Sequence, residues 1–333
     1  RIGLGWALES LGSTPFADEV RDAYSTHAQL ASAPDVSTWS RLTDDAASLS
    51  CATVALNPTS GHIQRISSGT VNVSGTLAAV TYQTMVDDDF ARHYREGFLI
   101  PGTGGENEYG KLHCNASVSE AKLWVPALSG AWTSPDGSTV AIKQTLDAMA
   151  VTNFGAPSTV WTTLSCNATR LDITVSAHNK SATRLPEALY AQFRVDSDTA
   201  APRYLLESHG EWFSPTQETV RQGGRGLRGV TDGVGLVWPS ADSASQRALY
   251  VGSPDAGLVR IGAQTGPFPD PAVGTADTDA HGVSFVLASQ PWSTNFAYWY
   301  PFQGAPEAVS AGGRFTASLG WRFTVQLEES IPE

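Results

Sequence analysis

The sequence predicts an all-β protein, a large antiparallel two-sheet sandwich preceded by a short N-terminal helical segment. Three observations carry this expectation. From about Ser48 onward, short runs rich in β-branched and aromatic residues recur between Gly, Pro, Asn and Asp turns, at a spacing typical of sandwiches. Glycine and proline are plentiful, at 31 and 19 of 333 residues. Strands do not alternate with helices as a parallel sheet or a barrel would require. With 41% hydrophobic residues and a length that buries roughly 75% of the unfolded surface, the chain needs neither metal nor disulfide to hold a core.

Taken in order, residues 1–34 form a helical segment and linker, and residues 35–333 the large β-sandwich domain. Thr14 suits an N-cap, Pro15 the first helical position, and Asp18 and Glu19 the first turn, where acids complement the helix dipole. Phe16, Val20, Tyr24, His27 and Leu30 recur on one helical face and are expected to pack. The clearest strand runs span 51–56, 76–84, 121–125, 138–145, 159–164, 170–177, 187–195, 234–238, 248–252, 258–262, 283–288 and 314–327. A short helix over 88–95, capped by Asp87, is expected to interrupt the early strands.

Charge and motifs exclude several functions. A net charge of −12, with 21 Lys and Arg that never gather into a run, argues against nucleic acid and anionic membranes as partners. No apolar stretch approaches the roughly 20 residues of a membrane-spanning helix, and the N-terminus lacks a signal-peptide pattern, as expected of a mature chain or fragment. Sequons at Asn72, Asn115, Asn167 and Asn179 predict a glycoprotein that is secreted and extracellular. Of three cysteines, Cys114 and Cys166 are the preferred disulfide pair. Cys51 then remains, buried or available to bond a second polypeptide. No cofactor or metal is expected. Asp277-Thr-Asp279-Ala-His281 reads better as a solvated loop than as a metal site. Gly224-Arg-Gly226-Leu-Arg-Gly229 spells a dinucleotide fingerprint but has no strand before it and no helix after it.

The richest run is Tyr82 to Asn115, which gathers aromatics, carboxylates, histidines and a glycine-rich loop. Its ligand-binding candidates are Tyr82, Gln83, Asp88, Asp89, Tyr94, Tyr109, Lys111 and His113. The acids could equally cap a helix, and the Tyr109–His113 segment could be a surface hairpin. Asn295 and Trp299 join the candidates, since rings cover the C–H faces of sugars while amides bond their hydroxyls, although Phe296, Tyr298 and Tyr300 could alternate into a core. Catalytic residues are unknown. A carboxylate pair could come from Asp88, Asp89, Glu106, Glu108, Glu187 or Glu211, but only the separation defines such a pair.

Several motifs in order resemble the C-terminal β-sandwich region of glycoside hydrolase family 38-like (α-mannosidase-like) proteins. These are Tyr82-Gln-Thr with the Asp-rich turn and Tyr109-Gly-Lys111, the Leu185–Phe193 strand, Gly224–Val230, Trp292–Tyr300, Gly313-Arg-Phe315 and Trp321-Arg-Phe323. Arg228 stands where the family pattern has histidine. The resemblance implies a galactose mutarotase-like supersandwich that follows a helical segment and a catalytic barrel holding zinc and an aspartate nucleophile. It carries over no zinc ligand and no nucleophile, because this chain has no barrel pattern. The function so implied is the sandwich portion of a secreted hydrolase acting on carbohydrate with a separate barrel polypeptide, held through Cys51. Tyr82, Asp88, Tyr94, Tyr109, Lys111 and His113 would then line a shared cleft. Alternatives are a stand-alone carbohydrate-binding (lectin-like) or storage protein, and a sandwich-fold lyase or epimerase using Tyr, His and Lys as acid and base.

Overall fold

The computed structural model describes residues 10, 12–69, 71–86, 89, 120–181, 183, 185–196, 202–215, 227–239, 246–262, 264, 282–290 and 316–328. Helix α1 is Pro15–Leu30. It is followed by β1 Ser40–Arg41, β2 Ala46–Ser48, β3 Thr53–Leu56, β4 Ile63–Ser68, β5 Val71–Thr84, β6 Lys122–Trp124, β7 Ala127–Thr133 and β8 Thr139–Thr145. Helix α2, Ala148–Phe154, precedes β9 Thr159–Asn167, β10 Arg170–Ser181, β11 Glu187–Asp196, β12 Arg203–Ser208 and β13 Glu211–Phe213. The rest are β14 Leu227–Gly229, β15 Gly233–Pro239, β16 Gln246–Gly252, β17 Leu258–Ile261, β18 Val283–Gln290 and β19 Thr316–Glu328.

The strands form a 10-stranded sheet, in the order β1-β7-β8-β9-β10-β19-β16-β15-β12-β13, and a 9-stranded sheet, in the order β14-β17-β18-β11-β5-β4-β3-β2 with β6 on β5. The expected antiparallel two-sheet sandwich is therefore the observed one. Strand alternation builds the core: Leu171, Ile173, Val175 and Ala177 of β10 point into it while their neighbours point away. Phe193 and Phe285 of the 9-stranded sheet meet Phe323 of the other, with ring centroids 5.3–5.7 Å apart.

Helix α1 begins as expected, with the Ala17 N–H donating to Thr14 Oγ1 at 3.2 Å. Phe16, expected to pack, is 59% exposed, whereas Ala17 is fully buried and Val20 half-buried, and the helix lies against β19. Helix α2 was not expected. Asp147 caps it by accepting from Met149 N–H at 2.7 Å, and Gly155 ends it in the left-handed region at φ 71°. The unexpected strands include β1, β2, β4, β7 and β12–β14, several of them short or at sheet edges. The helix expected over 88–95 lies outside the described residues, apart from Asp89.

Cys166 pairs with Cys51, not with Cys114. Cys51 lies between β2 and β3 of one sheet and Cys166 near the end of β9 of the other, with Cα atoms 5.7 Å apart, so the bridge joins the two sheets. This corrects both cysteine expectations, since Cys51 is not free to bond a second polypeptide. Cys114 lies outside the described residues.

Candidate functional site

Alternation along β5 separates two neighbouring candidates. Tyr82 points into the core between the sheets, while Gln83 points to the outer face of the 9-stranded sheet. The two therefore do not line one cleft.

Gln83 belongs to a buried polar network on that outer face. The Tyr190 hydroxyl donates to Gln83 Oε1 at 2.9 Å, and Arg260 Nη1 donates to the Tyr190 oxygen at 3.3 Å. Beside them Thr81 Oγ1 donates to Gln264 Oε1 at 2.7 Å, and Gln264 Nε2 donates to Ser284 Oγ at 2.6 Å. Register explains the gathering. Tyr190 of β11 faces Thr81 of β5 on one side and Val286 of β18 on the other, and Ser284 of β18 faces Arg260 of β17. Met85, Ala188 and Val286 form an apolar floor around Tyr190.

All six polar side chains are buried, and Arg260 is 2% exposed. Burial pushes the Tyr190 phenol up, and the neighbouring Arg260 charge pulls against it. Tyr190 is thus a neutral donor at ordinary pH. Among the described residues the network presents amides, hydroxyls and a guanidinium. Such a set can bond hydroxyl and carboxylate groups.

A second cluster sits inside the sandwich. The Tyr82 hydroxyl bonds the Glu187 carboxylate and the Phe154 carbonyl, the latter at 2.8 Å. Lys180 Nζ lies 2.7 Å from Glu187 Oε1 and 2.8 Å from the Ser181 carbonyl. Burial pushes Glu187 upward, against the Lys180 charge and the hydrogen bonds to its carboxylate, and burial also drives the Tyr82 phenol well up. Both oxygens of Glu187 are engaged, so the cluster binds the end of α2 to β5, β10 and β11.

Ser60 and His62 look like a nucleophile and base, with Ser60 Oγ 2.7 Å from His62 Nδ1. Asn57 Oδ1 accepts from the Ser60 hydroxyl and from the Thr59 and Ser60 N–H groups, and Gln144 Nε2 holds the Ser60 carbonyl at 2.6 Å. The pair is part of an Asx turn that locks the β3–β4 connection to β8. Burial first, and then the Arg194 charge, lower the His62 pKa.

Among the other sequence candidates, Asp89 accepts from Val86 N–H at 2.9 Å and forms the turn that ends β5. Asn72, Asn167 and Asn179 are exposed, and Asn179 Nδ2 donates to Ser158 Oγ at 3.0 Å. Asp88, Tyr94, Tyr109, Lys111, His113, Asn115, Asn295 and Trp299 lie outside the described residues. Sequence reading missed Thr81, Tyr190, Arg260, Gln264 and Ser284. The signal available was polar residues interleaved in apolar strands, above all Arg260 within Leu258-Val-Arg-Ile261. Among the described residues no cluster of His, Cys, Asp or Glu could hold a metal ion, and no helix is long and apolar enough to cross a membrane.

No family model and no curated protein matches the chain. Solved structures similar to it include a galactose mutarotase-like protein from Lactobacillus casei ATCC 334, at 12% identity and a TM-score of 0.41, over 86% of this chain and 100% of that one. Another is the Slr1438 protein from Synechocystis sp. PCC 6803, at 10% identity and a TM-score of 0.37, over 88% of this chain and 96% of that one. Superpositions this loose carry no argument about activity, and the architecture rests on the strand pairing above.

Proposed function

We propose that this chain is a carbohydrate-binding β-sandwich whose ligand face is the outer face of the 9-stranded sheet. The observation that carries this reading is the Gln83–Tyr190–Arg260 network, with Thr81, Gln264 and Ser284 beside it. Amide, phenol and guanidinium groups over an apolar floor are the means by which protein sites bind polyhydroxylated ligands with few, oriented hydrogen bonds. The sequence resemblance supports the sandwich portion of a family 38-like glycoside hydrolase, with catalysis supplied by a separate barrel. A link to that barrel through Cys51 is not part of the proposal, since Cys51 is bonded to Cys166.

The test is a broad glycan array that includes α-mannosides, read with the native protein and with Tyr190→Phe, which keeps the ring and deletes the hydroxyl. A bound glycan should lose roughly tenfold in affinity in the variant, since one hydrogen bond is removed and Gln83 is left unpaired. No bound glycan, or equal binding by a folded Tyr190→Phe protein, would defeat the reading.

A further inference from the structure

We infer a second saccharide site on the opposite side of the molecule, on the outer face of the 10-stranded sheet, selective for acidic oligosaccharides. Register places its residues in two adjacent cross-strand rows. Arg41 of β1 faces Trp132 of β7, and Lys143 of β8 faces Trp161 of β9. The two indoles touch, with centroids 5.6 Å apart and planes tilted by 35°. Lys143 Nζ lies 5.6 Å from the Trp161 ring.

The presenting ring is Trp132. It is half-buried, whereas Trp161, at 7% exposure, stands behind it as a support. The Trp132 ring lies across its own strand over Gly130, where a Cβ would come within 2.7 Å of Trp132 Cη2. Any other residue at 130 would lift the ring, so glycine there keeps the indole flat on the sheet. An aromatic face laid flat in this way matches the C–H face of a sugar ring.

Charge selects the kind of sugar. Arg41 is exposed and Lys143 half-buried, and among the described residues no carboxylate pairs with either, although acids outnumber bases 33 to 21 in the chain. Arg41 donates only a long bond, of 3.4 Å, to the Ser129 carbonyl. Strands β1 and β8 are two interstrand spacings apart, about 10 Å, so the two cations flank a ligand longer than one sugar unit. A uronate-bearing oligosaccharide satisfies both features, with ring faces on Trp132 and carboxylates on Arg41 and Lys143.

Isothermal titration of the full chain with a short oligogalacturonate, against its carboxyl-reduced neutral counterpart, tests this site. The acidic ligand should bind, weaken as salt is raised, and exceed its neutral counterpart. Lys143→Gln should lower its affinity by about tenfold without changing the melting temperature, and Trp132→Ala should lower it further. No binding, equal binding of the neutral counterpart, or undiminished binding by Lys143→Gln would overturn the inference. The site shares no residue with the Gln83–Tyr190–Arg260 network, so its failure leaves the reading of the other face untouched.

Discussion

Glu187 illustrates how one residue's environment sets its chemistry. Buried beside Tyr82 and Lys180, its carboxyl is pushed above the ordinary value of 4.5 in the folded protein. A raised acid pKa means that the folded state holds the proton more tightly than the unfolded one. Its contribution to stability is therefore full below about pH 4.5 and declines as pH rises through the raised folded value. Lys180 offsets that decline. Lys180→Met should cost about 3–5 kcal/mol at pH 7, because it strands a buried carboxylate, and much less near pH 4. Glu187→Gln should abolish this pH dependence while keeping a partner for the Tyr82 hydroxyl. Thermal melts of both variants across pH 4–8 check the prediction, and a Lys180→Met deficit that does not change with pH would contradict it.

At the scale of elements, the sandwich depends on close approach as much as on apolar alternation. Strand β5 is long, at 14 residues, and its register with β11 shifts between Gln192 and Arg194. There Gly75 lies so close to β11 that an added Cβ would come 1.9 Å from the Arg194 carbonyl oxygen. That oxygen is backbone and cannot swing aside. Gly75→Ala should therefore destabilise the protein by about 1–3 kcal/mol, as overpacking of a tight core does. Asp147→Ala, which removes only the cap of α2, should cost about 1 kcal/mol. Urea titrations of the two variants give the comparison, and a Gly75→Ala midpoint equal to that of the native protein would refute the steric argument. Alternation in β9 and β10, and continuous apolar, β-branched and aromatic runs in β11 and β18, made those strands legible in the sequence. Two- and three-residue pieces such as β1 and β14 have no period to detect, and they exist because a neighbouring strand supplies their hydrogen bonds.

At the scale of the whole molecule, the Cys51–Cys166 bridge closes a loop with a sequence separation of 115 and ties one sheet to the other. Replacing both cysteines by alanine should lower stability by about 2–5 kcal/mol without changing the sheet signature in circular dichroism. Peptide mapping under non-reducing conditions should recover the fragment joining Cys51 to Cys166, and a Cys114–Cys166 fragment would overturn the pairing.

The sequence by itself determined the fold class, the start of α1 and the main strands, because period-two alternation, turn residues and a capping threonine act over a few neighbouring residues. Gln83 was legible as a candidate for the same local reason, since it sits in a distinctive run. The tertiary structure alone decided that Cys51 bonds Cys166, that Tyr190 and Arg260 join Gln83, and that Gln264 joins Thr81. It likewise alone placed Trp132 beside Trp161. Each of these depends on strand order and register, which bring together residues about 30 to 180 positions apart. No local pattern of residue types encodes such distant pairings. They follow from the free energy of closing two whole sheets over one core.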